Sequence, residues 1–65
     1  MTKEEAIQAM RAGHKVTHRY FGSDEWMTME GNRIVLEDGC SLFAQEFWAD
    51  RTAPGWEDGY ELYTE

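Results

Sequence analysis

A chain of 65 residues with one cysteine has the size of a single small domain, residues 1–65, and cannot form an internal disulfide. Thirteen acidic against six basic side chains give a net charge of −7, which argues against direct DNA binding, because phosphate contacts need lysine and arginine. One cysteine and two histidines make a closed zinc site hard to assemble. The N-terminal segment is polar and no long apolar run follows, which predicts a cytoplasmic protein without signal peptide or membrane span.

The first predicted element is a helix. Its opening, TKEE, is a capping box in which Thr2 caps the first turn and Glu5 reaches back to it. Ala6 and Met10 follow at helical spacing and predict the buried stripe. Gly13 is typical of the position just after a helix end, so the helix is expected to finish there.

After this helix the hydrophobic period changes to two, which predicts a strand. Val16, His18 and Tyr20 are expected to point to one side of it. The opposite side is expected to carry Lys15, Thr17, Arg19 and Phe21. The position of His18 between two apolar neighbours predicts an inward or interfacial imidazole with a hydrogen-bond partner.

Turn signals divide the rest of the chain into short elements. Predicted strands lie at 26–30, 33–37, 40–43 and 60–64, separated by the turns GSDE, GN and DG and by a loop at 52–59. Residues 44–51 have helix-compatible polar residues over a short length, and predict a minor helix. The predicted fold class is therefore α+β, an N-terminal helix packed on a small antiparallel sheet, in the order α-β-β-β-β-α-β.

Cationic groups are concentrated at residues 11–19. Lys15 and Arg19 share one face of the predicted strand and form a candidate anion site for phosphate or carboxylate. Cations beside a helix C-terminus also offset the helix dipole, which explains the same residues without a ligand. His14 and His18 would lie about 13 Å apart on a strand, so no shared metal is predicted.

The net charge lies in the second half, where residues 34–65 hold eight acids and one base, Arg51. An acidic surface suits a basic partner, such as a protein that binds nucleic acid, although acidic charge also serves solubility alone. Exposed aromatics provide much of the binding energy at interfaces. The candidate partner-binding residues are Glu37, Asp38, Glu57, Asp58 and Glu61 with the aromatics Trp26 and Tyr63.

Six of the nine aromatic residues already exceed what so small a core can fully enclose: Trp26, Phe47, Trp48, Trp56, Tyr60 and Tyr63. Trp48 and Trp56 are expected in the core, whereas Tyr20, Trp26 and Tyr63 are interface candidates. Because the core is small and has no disulfide to support it, we expect a homo-oligomer, with a two-fold dimer as the commonest form.

Signatures of catalysis are scarce in this chain. It has no Gly-rich phosphate loop, no HExxH and no nucleophile elbow. Cys40 follows a hairpin turn, but a catalytic cysteine would also need a histidine, an orienting group and a pocket. We therefore expect a protein that acts by binding, with no catalytic residue, no metal and no cofactor.

The segment EEAIQAMRAGHKVTHR resembles the opening of a family of small phage and prophage proteins with an E-A-L-x-x-L-K-x-G-K-x-V-x-R pattern. The matching positions are Glu5, Ala6, Ile7, Met10, Arg11, Gly13, Lys15, Val16 and Arg19, roughly the first third of the chain. The family includes a Thoeris anti-defence protein that sequesters a cyclic ADP-ribose signal and an anti-CRISPR protein that inhibits a type II system. Near the end, Trp56 and Glu57 loosely match the family's closing segment.

This resemblance implies a mobile-element accessory protein that acts by binding. Its partner would be a basic host defence protein, or a cyclic nucleotide held weakly through Lys15 and Arg19 in a sponge-like role. A ligand-free structural or assembly module is the third possibility.

Overall fold

The computed structural model of the protein describes residues 1–64. Its first helix, α1, spans Lys3–Arg11 and has the predicted capping box. The Glu5 N–H donates to Thr2 Oγ1 over 3.2 Å, and the Thr2 N–H donates to Glu5 Oε1 over 2.8 Å, which lowers the pKa of Glu5. Gly13 follows the helix with φ +98°, a conformation that favours glycine, so both predicted ends of the helix are confirmed.

The five strands form one antiparallel sheet in the order β4-β3-β2-β1-β5. Their bounds are β1 Val16–His18, β2 Met27–Glu30, β3 Arg33–Leu36, β4 Ser41–Phe43 and β5 Tyr60–Leu62. A short helix, α2, spans Ala44–Ala49, and one 3₁₀ turn, Pro54–Trp56, lies in the loop before β5. The predicted α+β class and the order of its elements are confirmed. No helix within the described part of the chain is long and apolar enough to cross a membrane.

Both helices pack on the same face of the sheet. Val16 lies opposite Met27 on one side and opposite Leu62 on the other, so these side chains share a face. The buried core on that face combines residues of both helices with residues of the sheet: Ala6, Met10, Val16, Met27, Ile34, Phe47 and Tyr60. Within residues 1–64, no helix covers the other face of the sheet.

β1 is shorter than predicted, which changes the side on which Phe21 lies, whereas the exposure of Tyr20 agrees with its prediction as an interface candidate. β1 ends at His18, because the Tyr20 N–H donates to His18 Nδ1 over 3.1 Å and the Phe21 N–H donates to the His18 carbonyl over 2.9 Å, which closes a turn. Tyr20 therefore leaves the core side and is 59% exposed, whereas Phe21 packs against the core.

The two tryptophans expected in the core are only half-buried beside it. The fully buried aromatic side chains are Phe47 and Tyr60, and Trp48 and Trp56 pack around them. On α2, Phe47 already occupies the position that faces the sheet, so its neighbour Trp48 is turned toward the helix flank.

Antiparallel pairing brings three loops to one end of the sheet. β1 and β3 both run antiparallel to β2 and so finish at this end, and β5 begins there because it runs antiparallel to β1. α2 starts beside the far end of β4 and returns toward the same end. We call this region, formed by residues 19–26, 37–40 and 50–59, the loop end.

Candidate functional site

His18 holds the loop end together. Its imidazole is 3% exposed, and Nε2 lies 2.9 Å from the Gly55 carbonyl oxygen and 2.8 Å from that of Asp58. Because Nδ1 accepts the Tyr20 N–H, the proton of the neutral ring belongs on Nε2, which the two carbonyls share. The end of β1 is thereby fastened to the loop that precedes β5.

A ring stack reinforces the same loop. His18 lies parallel to Trp56, with ring centroids 4.3 Å apart, and edge-on to Tyr60 at 4.5 Å. The Tyr60 hydroxyl donates to the Trp56 carbonyl over 2.6 Å. Burial, with a smaller contribution from the Glu57 carboxylate, raises the pKa of Tyr60 to about 12. Hydrogen bonds and stacked rings thus fix this loop on the sheet.

A cleft of about 210 Å³ opens beside this anchored loop. It lies where the loops after β1 and β3 meet the C-terminal end of α2. Apolar and aromatic side chains line it, together with three carboxylates and one guanidinium: Phe21, Trp26, Leu36, Phe47, Glu25, Glu37, Asp38 and Arg51.

Two of the three carboxylates are oriented by backbone N–H groups. Glu25 Oε1 accepts the Gly22 N–H over 3.0 Å, and Asp38 Oδ1 accepts the Cys40 N–H over 2.9 Å. A second hydrogen bond, between the Cys40 thiol and the Asp38 side chain, raises the pKa of the thiol together with the negative charge of Asp38. These carboxylates are held in place before any ligand arrives, which reduces the entropy cost of binding.

Arg51 is fixed within the cleft by its aromatic neighbours. Its guanidinium lies 3.9 Å from the ring centroid of Phe47 and 5.4 Å from that of Trp56, and Nη1 donates to the Phe47 carbonyl over 2.9 Å. The buried Nε has no hydrogen-bond partner among residues 1–64.

Three carboxylates against one guanidinium leave the cleft negative, and its walls are largely apolar. Such a site fits a cation with an apolar stem, because aromatic rings attract cations and carboxylates form charge-assisted hydrogen bonds with them. Lysine and arginine side chains have this chemistry.

The predicted partner-binding residues divide between three places. Glu37, Asp38 and Trp26 line the cleft. Asp58 pairs with Arg19 over 2.5 Å, and the Glu57 carbonyl accepts the Lys3 N–H at the start of α1. The remaining two, Glu61 and Tyr63, lie on the far side of β1 from the cleft, along β5 and just after it. The candidate acidic residues therefore have three different sets of neighbours.

The candidate anion-binding residues have separate partners. The Lys15 ammonium lies 4.3 Å from the ring centroid of Trp26. Arg19 Nη2 instead binds the carboxylate of Asp58 and the Gly55 carbonyl. The structure does not bring the two cations to a common point.

Sequence reasoning assigned no role in this cleft to Phe21, Glu25 or Arg51. Each comes from a different loop or helix end, and only the strand pairing shows that they meet. The one feature of the sequence that pointed to this region was the turn sequence GSDE, which contains Glu25.

Within residues 1–64, no group of three histidine, cysteine or acidic side chains could hold a metal ion. No family model, curated protein or solved structure matches this chain.

Proposed function

We propose that this protein acts by binding a basic partner protein through the acidic cleft at the loop end. The observation that carries the proposal is the convergence of Glu25, Glu37 and Asp38 on a cleft with aromatic walls. The charge of the whole chain, −7, favours the same class of partner, because its field attracts positively charged surfaces from a distance.

The partner that fits best is a nucleic-acid-binding defence protein of a host cell. Surfaces that bind nucleic acid are rich in lysine and arginine, so an acidic protein competes with phosphate for them. The resemblance of residues 4–19 to phage anti-defence proteins supports an accessory protein of a phage or prophage in this role. Inhibition would follow from occupation of the partner's nucleic-acid surface.

Binding would proceed by insertion of a partner lysine or arginine. Its charged head meets the carboxylates of Glu37 and Asp38, and its apolar stem contacts the walls at Phe21 and Trp26. Arg51 repels a cation that enters deeper, so the inserted charge stays near the rim. A nucleotide sponge would require both cationic candidates to act on one ligand, and their separate partners weigh against it.

The proposal is tested by a titration of the ¹⁵N-labelled protein with a hexa-arginine peptide, with hexa-glutamate as the matched control. Hexa-arginine is expected to shift the backbone resonances of residues 37–38 and the indole N–H of Trp26, with saturation. Shifts spread evenly over the surface, or no shift at millimolar peptide, would contradict the proposal.

A further inference from the structure

The face of the sheet opposite the helices is uncovered and partly apolar; we call it the open face. Val35 lies half-buried near its middle, and Phe43, at one margin, is 49% exposed. Trp26 and Tyr63, on either side of β1, have ring centroids 6.3 Å apart. Aromatic side chains that remain partly exposed on a sheet face are typical of an interaction site.

The charges of the open face cancel. Register places Glu30 opposite Arg33, and Lys15 and Glu61 lie on the same side of the sheet as this pair. Arg19 lies beside Glu61 on this side, and its charge is paired with Asp58. Three cations and three anions sum to zero, so the net charge of −7 comes from residues outside this set.

The balanced charges of the open face favour a second copy of this chain as the partner that binds there. Two copies of a chain with charge −7 repel each other when their acidic surfaces meet. On the open face each copy presents equal numbers of cations and anions, which can pair across a two-fold axis. A nucleic acid would find no excess of positive charge there.

We infer that a second copy of this chain packs on the open face, so that two sheets form a sandwich related by a two-fold axis. Packed sheets lie about 10 Å apart with interdigitated side chains. Two copies of charge −7 repel each other, and exposed ion pairs contribute little stability, so the dimer is weak and depends on concentration.

Sedimentation of the full chain tests this inference. The protein concentration runs from about 5 µM to about 1 mM, which spans the dissociation constants of weak complexes. We expect a monomer–dimer equilibrium that tightens as salt rises, because salt screens the repulsion between the two copies. Binding of a basic partner weakens as salt rises, so the two proposals can fail independently. A wild-type protein that remains monomeric at the highest concentration would overturn the inference.

The interface is located by the double variant Val35→Thr, Phe43→Ala. The matched control is Leu62→Thr, since Leu62 is 51% exposed and belongs to the helix side of β5. The double variant is expected to weaken dimerisation at least about tenfold, and the control to leave it unchanged. Far- and near-ultraviolet circular dichroism confirms that each variant is folded. An equally strong dimer in the folded double variant, or binding of oligothymidylate instead of a second copy, would overturn the inference.

Discussion

The imidazole of His18 and the indole of Trp56 lie in a stack, with ring centroids 4.3 Å apart and planes inclined by 21°. The stack joins the end of β1 to the loop before β5, two segments far apart in the sequence. Since Trp56 also lies 5.4 Å from the Arg51 guanidinium, the stack supports one wall of the cleft. A buried histidine with satisfied nitrogens is thus part of the scaffold of the site.

Replacement of His18 by Phe is expected to lower the free energy of unfolding by at least about 2 kcal/mol. Phenylalanine keeps a ring in the stack but leaves the Asp58 carbonyl and the Tyr20 N–H without their partner, and each unsatisfied buried group costs about 1–3 kcal/mol. Urea unfolding measures the change. His14→Phe, at an exposed position, is the control and should shift stability by less than about 0.5 kcal/mol. Equal stability of both variants would show that the hydrogen bonds contribute nothing.

Stability is expected to fall in alkaline solution because of Tyr60. The buried phenol has a pKa of about 12 against 10.0 for a free tyrosine, so the unfolded chain loses this proton first as pH rises. The contribution of the neutral Tyr60 phenol to the free energy of unfolding is complete below pH 10 and is lost toward pH 12. Over this range the free energy of unfolding falls by about 1.4 kcal/mol per pH unit. Unfolding curves across this range should lose the slope in Tyr60→Phe and keep it in Tyr20→Phe. An unchanged slope in Tyr60→Phe would refute the assignment.

The parts of the fold that depend on local chemistry could be predicted from the sequence. The capping box of Thr2 and Glu5 fixes the start of α1, and the Asp38-Gly39 pair fixes the turn between β3 and β4. The position of β1 between β2 and β5 could not be predicted, because that pairing joins residues far apart in the chain. For the same reason the cleft could be predicted only in part: the sequence predicts Glu37, Asp38 and Trp26, but not Phe21, Glu25 or Arg51.

Replacement of Asp38 by Asn is expected to accelerate alkylation of Cys40. The hydrogen bond and charge of Asp38 raise the pKa of the exposed thiol and so reduce its reactive thiolate form. The rate of reaction with iodoacetamide at constant pH measures the effect. Glu4→Gln removes the same charge on α1 and should leave the rate unchanged. A similar rate in wild type and Asp38→Asn would contradict the role of Asp38.

Inorganic phosphate at millimolar concentration is expected to leave the resonances of Lys15 and Arg19 unmoved. Each cation already has its own neighbour, a tryptophan ring in one case and a carboxylate in the other. The ¹⁵N spectrum of the protein during a phosphate titration, with chloride as the matched anion, tests this. Saturable shifts at both residues, abolished by Arg19→Ala, would restore the sponge hypothesis.

The central claim, that the cleft binds basic side chains, is tested most directly by the affinity for hexa-arginine of two variants with the same net charge. Glu37→Gln, Asp38→Asn removes two charges from the cleft, and Glu4→Gln, Glu30→Gln removes two from exposed positions on α1 and β2. Isothermal titration calorimetry at low salt should show an affinity at least about tenfold weaker, or about 1.4 kcal/mol, for the cleft variant and a change of less than about twofold for the control. Equal losses in the two variants would show that net charge alone attracts the peptide, and would contradict the cleft as the binding site.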